Sequence, residues 1–418
     1  MQYLPRLADE QLMEKLSYAG AVCIRGPKWC GKTTTAEQRA RSALYMQDPD
    51  EAENNLMLAE TRPSLLLRGE RPRLIDEWQD APQLWDAVRF SVDREQLTGG
   101  YILTGSAVPG KQPRHTGTGR ISYLDMRTMS LSETEDSTGE VSLGELFEGE
   151  LDPEGYSEKN VEDLSYLICR GGWPRAVTAS RGASLHYAAD YVDAVCNEDV
   201  SRVDGVSRDP QSARLILREY ARLTATAASL NTVRADLAAH GRELSKDTVN
   251  SYLSAMRKIY TIEDLESWSP SLRARSRISK TPARFLSDPS IAAAALGTNP
   301  DGLLRDMATF GVLFESLCVH DLRVYADAHG GKVYRYHDNT GLEADAVVTL
   351  PDGRYGLMEV KLGASFVEQG AASLKKLASR LDTSVMGQPS FMAVLTPGGY
   401  AYRRDDGVFV VPVTTLTC

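Results

Sequence analysis

The sequence predicts an α/β protein in three parts, and three observations predict it. A short apolar run at Ala21–Arg25 leads straight into a glycine-bounded loop and then into helix-forming residues. Residues 213–260 carry apolar positions at helical spacing. Near the end, two strand-like runs joined by a tight turn carry interleaved carboxylates and a lysine. The length of 418 residues accommodates two to three domains at about 150 residues each. The parts are predicted at 1–165, 166–300 and 301–418.

Composition sets limits on the function classes. Hydrophobic residues make up 42% and charged residues 25%, a globular balance rather than a disordered one. No run approaches the roughly 18 apolar residues that a membrane-spanning helix needs. Six cysteines are scattered without a C-x-x-C pair, so neither a disulfide framework nor a zinc site is expected. A reducing, cytoplasmic setting is the expectation, with no membrane partner. Charge is uneven: residues 1–204 carry a net −12, residues 205–300 a net +5 and residues 301–418 a net −3. Ser132–Asp163 alone holds twelve acids and one lysine. It reads as a solvated surface and as a linker region between domains.

The first motif follows Ala21–Arg25. Gly26-Pro27-Lys28-Trp29-Cys30-Gly31-Lys32-Thr33 matches G-x-x-x-x-G-K-[ST], the Walker A phosphate loop. Gly26 and Gly31 allow a tight turn and a close approach to phosphate. Backbone N–H groups at a helix start then point at the anion. Lys32 is expected to reach the β- and γ-phosphates of ATP, and Thr33 to hold Mg²⁺. Thr34 offers a second hydroxyl. The residues from Thr34 to Leu44 read as the helix that follows the loop.

Arg73-Leu74-Ile75-Asp76-Glu77 reads as a short strand ending in two carboxylates. Asp76 is the expected Walker B aspartate for Mg²⁺, and Glu77 the expected base that polarises the attacking water. Tyr101-Ile102-Leu103-Thr104-Gly105-Ser106 reads as a third strand, with Thr104 and Ser106 as candidate γ-phosphate sensors. Arg120, after the loop Pro109–Gly119, is a candidate arginine finger, acting in its own chain or on a neighbouring subunit.

These motifs together resemble a family of predicted AAA+-superfamily ATPases. Its members read as a Walker A, an Asp-Glu-x-Gln Walker B, a Thr-Gly-Ser strand and a Gly-Arg. Here those are Gly26–Thr34, Asp76–Gln79, Thr104–Ser106 and Gly119-Arg120. Gly171-Gly172-Trp173-Pro174 resembles the family's junction motif. So does Tyr191 followed by Glu198-Asp199-Val200, although the family more often has Arg before that Asp. The resemblance implies a P-loop fold of the additional-strand type and ATPase activity. It also implies a C-terminal domain that has been likened to restriction endonucleases.

In the middle part, Ala213–Leu223, Thr232–Ala239 and Lys246–Tyr260 read as helices, with Ser245 as an N-cap. Two short helices joined by a turn suit a helix-turn-helix. Phe285–Asp288 would add a wing strand, as the resemblance to winged-helix domains suggests. Lys246, Thr248, Asn250 and Ser251 could then face a DNA groove, and Arg273, Arg275, Arg277, Lys280 and Arg284 could meet phosphates. A lid or protein-docking module is the other reading.

The last part carries the second motif. Met307–Asp321 reads as a helix, and Glu343–Val348 and Tyr355–Lys361 as strands. Asp345, Glu359 and Lys361 resemble the PD-(D/E)xK nuclease core. Residues two apart on a strand share a face, so Glu359 and Lys361 point the same way. Asp345 and Glu359 are candidate metal ligands, with Glu315 on the preceding helix as a third, and Lys361 is the candidate catalytic cation. Gln369 could approach the site. A salt-bridge network and a degenerate fold kept for binding are the alternatives. The expected fold is therefore a P-loop NTPase parallel-sheet domain, a helical and winged-helix middle, and a restriction-endonuclease-like α/β domain. The expected function is ATP hydrolysis acting with nucleic acid. A slow nucleotide-switched regulatory module is the alternative. Candidate partners are DNA, another protein and a second copy of the chain.

Overall fold

A computed structural model describes residues 3–110, 113–149, 154–239, 241–270, 281–338 and 340–418. They form two compact units. Unit 1 is Met1–Thr128, Asn197–Asp209 and Ser254–Thr261; unit 2 is Met129–Cys196, Pro210–Leu253 and Ile262–Cys418.

Unit 1 is built on a parallel sheet of five strands: β1 (Ala21–Arg25), β2 (Ser42–Tyr45), β3 (Arg73–Asp76), β4 (Tyr101–Gly105) and β5 (Ile121–Asp125). Their spatial order is β2-β3-β4-β1-β5, so β4 lies between β1 and β3, the additional-strand arrangement. Successive side chains alternate between two cores. Val22, Ile24, Leu74 and Ile102 enter one; Cys23, Ile75 and Leu103 enter the other with Trp78, Trp85 and Val88. A sheet covered on both faces explains apolar runs without alternation. The helix expected over 34–44 spans only Lys32–Glu37, and Ser42–Tyr45 is an edge strand instead. Pairing of Ser42–Tyr45 with Arg73–Asp76 overrides the helix propensity of the alanines before it.

Unit 2 contains a mixed sheet of β6 (Lys332–His337), β7 (Glu343–Thr349), β8 (Tyr355–Val360), β9 (Phe391–Thr396), β10 (Tyr402–Arg403) and β11 (Phe409–Pro412). The order is β10-β11-β9-β8-β7-β6. β6, β7 and β8 run as an antiparallel meander; β8, β9 and β11 pair in parallel. The helix Met307–Ala328 precedes the meander, and Val367–Ala378 connects β8 to β9. Met307–Ala328 outruns the expected end at Asp321, because Leu322, Tyr325 and Ala326 are fully buried on it.

In the middle part, where helices are expected, they fall at Pro210–Arg222, Leu230–Ala239 and Lys246–Lys258. The expected wing strand at Phe285–Asp288 is not a strand. Isolated bridges join Ala283 to Leu265 and Leu286 to Ile262, and Asp288 caps the helix Pro289–Leu296. Arg284 is 9% exposed, with its Nε donating to the Ala228 carbonyl at 2.9 Å and its guanidinium over the Tyr220 ring. It is a packing residue, not a phosphate contact. Arg273, Arg275, Arg277 and Lys280 lie outside the described residues.

The acidic stretch is more than a linker. Val141, Leu143 and Leu146 within it are fully buried, and Val141–Ser142 pairs with Leu416–Thr417. Gly171–Pro174 forms a buried corner. A Cβ on Gly172 would meet the Met129 carbonyl oxygen at 2.0 Å, the Gly172 N–H donates to Asp288 at 3.0 Å, and the Trp173 indole donates to Ser290 at 2.9 Å.

Candidate functional site

The phosphate loop leaves the carboxyl end of β1. Gly26 and Gly31 take φ of +158° and +102°, and a Cβ on Gly26 would sit 2.0 Å from the Met126 carbonyl oxygen. Both glycines are required by backbone, as the motif predicts. Cys30 is fully buried beneath the loop, and its carbonyl accepts from Arg6 at 2.8 Å. Trp29 is half exposed in a left-handed conformation. Pro27 and Lys32 face each other: the Lys32 ammonium donates to the Pro27 carbonyl at 2.8 Å. Lys32 is only 5% exposed, and among the described residues it has no carboxylate partner. A buried cation satisfied by one carbonyl leaves electrostatic room for an anion.

Lys28 behaves differently. Its ammonium pairs with Asp199 at 2.6 Å, across 171 residues of sequence. Asp199 closes the wide helical turn Val195–Asp199 and is itself 5% exposed. The sequence signal was the Glu198-Asp199-Val200 resemblance, which did not name Lys28 as its partner.

Thr33, Asp76 and Thr104 come together. Asp76 Oδ1 accepts from the Thr33 hydroxyl at 2.6 Å and from the Thr104 hydroxyl at 2.7 Å. Burial pushes the Asp76 carboxyl up, and the two hydroxyl donors oppose that shift. Thr34 is exposed and takes no part in this cluster's hydrogen bonds. Glu77 follows in a left-handed conformation, φ 55°, which is uncommon for a non-glycine and marks a constrained site. Its N–H donates to Thr104 Oγ1 at 3.2 Å. Its carboxylate accepts from Ser106 at 2.8 Å and from the Gln79 amide. Gln79 was missed as a contact, although it stands two residues past Glu77 in the same motif.

Arg120 does not join this cluster. It immediately precedes β5, and β5 pairs with β1 as Ala21↔Ile121 through Arg25↔Asp125. Arg120 therefore sits at the amino end of the sheet, whereas the loop starts at the carboxyl end. Its guanidinium pairs with Asp93 at 2.6 Å and donates to the Thr118 carbonyl. A role at its own chain's loop is excluded by this register; only the neighbouring-subunit form of the expectation is left.

The second motif also assembles. Asp345 on β7 accepts the Val360 N–H at 2.8 Å. The Lys361 ammonium lies 2.5 Å from Glu359 and 3.8 Å from Asp345. Ser373 donates to the other Glu359 oxygen at 3.2 Å. A Cβ on Gly370 would press on Lys361 Cγ at 3.3 Å, so this glycine lets the following helix close over the lysine. Burial first, then the Asp345 charge, push Glu359 up to about 8. The same two causes raise Glu315. Lys361 is raised too: burial alone would lower it, and the carboxylates outweigh that. Gln369 is exposed, and among the described residues no hydrogen bond ties it to the trio. Among the described residues, no group of three or more His, Cys, Asp or Glu side chains is arranged to hold a metal ion. Glu315, Asp345 and Glu359 thus share one neighbourhood without converging as ligands.

The phosphate-loop residues fit ATP and a divalent cation. Lys32 is positioned for phosphate, and the Thr33 hydroxyl and Asp76 carboxylate face each other where oxygen ligands are needed. No described helix is long and apolar enough to cross a membrane.

Comparison with known proteins bears on each part. Residues 19–135 match a family described as an AAA domain. Residues 161–302 and 310–416 match two domains of unknown function, DUF8612 and DUF4143. An uncharacterized protein of Mycobacterium tuberculosis and one of Mycobacterium bovis are each 23% identical over 420 residues, covering 98% of this chain and 84% of theirs. Among solved structures, the Walker-type ATPase PabY2304 of Pyrococcus abyssi is similar with a TM-score of 0.40 and 13% identity, over 69% of this chain and 94% of that one. A RuvB protein of Thermotoga maritima has a TM-score of 0.27 and 15% identity, over 61% and 88%. With the phosphate loop and the strand order already in view, the match over residues 19–135 has a plain meaning: that segment is an AAA-type domain with the P-loop parallel-sheet fold.

Proposed function

We propose that the chain is a Mg²⁺-dependent ATPase whose nucleotide turnover acts with nucleic acid. The observation that carries the ATPase reading is the buried Lys32 ammonium, satisfied by one carbonyl, beside the Thr33–Asp76–Thr104 cluster. ATP with Mg²⁺, when bound, supplies the phosphoanhydride that is split. Lys32 neutralises phosphate charge, and Thr33 and Asp76 hold the cation. Thr104 fixes the Asp76 carboxylate, and Ser106 and Gln79 fix Glu77. Glu77 takes the proton of the attacking water on its carboxylate. The basic middle part, with helices at Leu230–Ala239 and Lys246–Lys258, supports the helix-turn-helix reading and so the nucleic-acid partner.

For the carboxyl-terminal part we favour a restriction-endonuclease-like fold whose trio acts as a structural network. The meander followed by a helix and a parallel strand supports the fold. The 2.5 Å Lys361–Glu359 contact and the unconverged carboxylates support the network.

An assay of ATP turnover with and without Mg²⁺ and DNA tests the leading reading. Glu77→Gln is expected to bind ATP normally and to turn over about 10²-fold more slowly, or worse. Wild-type turnover in that variant rejects Glu77 as the base. Slow turnover of the wild type that DNA does not stimulate favours the nucleotide-switched regulatory module.

A further inference from the structure

Unit 1 carries a groove of about 840 Å³ lined, among the described residues, by five arginines and no lysine. The chain as a whole has ten more acids than bases, so a lining with more arginines than acids runs against its composition. Arg71 is committed: it donates to Glu95 at 2.9 Å and to the Tyr101 hydroxyl at 3.2 Å. Arg62, Arg68, Arg94 and Arg114 make no side-chain hydrogen bond or ion pair among the described residues. Two of the three acids in the lining are occupied. Glu95 is held by Arg71 and by Ser91 at 2.7 Å. Asp86 accepts the N–H groups of Arg114 and His115 at 3.0 and 3.1 Å.

Two further features point to a ligand. Phe90 is 58% exposed in this lining. It stands four residues before Arg94 on the helix Gln83–Glu95, so ring and guanidinium share a helical face. Gln83 also lines the groove, and its Oε1 is buried without a hydrogen-bond partner. The groove is separate from the nucleotide site. Arg71 precedes β3 and Tyr101 begins β4, which puts it at the amino ends of strands whose carboxyl ends carry Asp76 and the phosphate loop.

We propose that this groove binds single-stranded nucleic acid. Guanidinium forks match phosphate oxygens bidentately. A cationic groove with an exposed aromatic ring is how single strands are held, bases on the ring and backbone on the cations. An acidic peptide would match the arginines and leave Phe90 without the flat face that every base offers. The inference rests on the nucleic-acid part of the proposed function and supplies its contact surface.

The test is anisotropy of a labelled oligothymidine of about 20 nucleotides with the full chain, across about 50–200 mM salt. Arg68→Glu/Arg94→Glu is expected to bind at least about tenfold more weakly. Its slope of log K against log salt should be shallower by about 1.4, two phosphate contacts at about 0.7 each. Turnover of ATP without DNA should be unchanged, which reports an intact fold; Arg68→Gln/Arg94→Gln replaces the reversal if it is not. Unchanged binding in the variant overturns the groove and leaves the nucleic-acid reading standing. No binding of single- or double-stranded DNA by the wild type overturns both. Arginine-dependent binding of a glutamate-rich peptide, with none of the oligothymidine, overturns the proposal in favour of an acidic protein partner.

Discussion

The two polar sites use the same residue types and commit them differently. In unit 1, Lys32 is buried and among the described residues donates only to the Pro27 carbonyl, while Asp76 is engaged by two hydroxyls. In unit 2, Lys361 is already held by Glu359 at 2.5 Å and lies 3.8 Å from Asp345. The first lysine is left open for an incoming anion; the second is closed by its own strands. A lysine near carboxylates is therefore no sign of chemistry until its partner is known. The lysine whose charge is uncompensated is the one poised for a ligand.

The largest expected effect breaks the open side. Lys32→Ala should abolish tight ATP binding by calorimetry, because no other described cation shares its place in the loop. Retained affinity would put the phosphate contacts elsewhere.

Next comes the closed side. Asp345→Ala removes a carboxylate from the Lys361 network and the acceptor of the Val360 N–H. A cost of about 3–5 kcal/mol in unfolding free energy is expected if the network is structural. Near-normal stability, with Mn²⁺ bound about 2.0–2.4 Å from Asp345 and Glu359 in the wild type, would instead restore the metal reading. Loss of a nuclease activity on that substitution would do the same.

The third effect follows pH. Glu359 is pushed up to about 8 in the folded state, against an ordinary value near 4.3. Over that window the folded state holds the extra proton, so stability falls as pH rises. Melting of the wild type should drop from about pH 4.5 to pH 8, and Glu359→Gln should flatten the fall. An equally steep fall in the variant would assign the dependence to another group.

The smallest effect concerns Lys28 and Asp199. Lys28 is about 40% exposed, so solvent screens the pair and its value is within about 1 kcal/mol. Asp199→Ala should change ATP affinity by less than about fivefold. A much larger loss would show that the pair positions the phosphate loop.

The phosphate loop was legible because its geometry is local. Eight consecutive residues contain both required glycines, the lysine and the hydroxyl, and the preceding strand is a continuous apolar run. Asp76 and Glu77 were legible for the same reason, as was the Asp345, Glu359 and Lys361 pattern on a hairpin. Ser42–Tyr45 was not, since an edge strand of four residues carries little pattern of its own. Arg284 looked like a phosphate contact because neighbouring charges suggested a loop; its burial depends on Tyr220 and Ala228, more than fifty residues upstream.

The sequence by itself determined the phosphate-loop turn, the strands that carry the two motifs, and which residue types stand at their ends. Tertiary structure decided what those residues do with their charge. The register of β5 on β1 put Arg120 at the wrong end of its own sheet for the phosphate loop. Packing of Gly370 against Lys361 helped close the second site. Arginines drawn from positions 62 to 114 were gathered into one groove. Backbone turns and strand periodicity are set by neighbours along the chain, so they can be read there. The partner of a charge is set by what long-range pairing brings within about 4 Å, and with it whether the charge is spent or available.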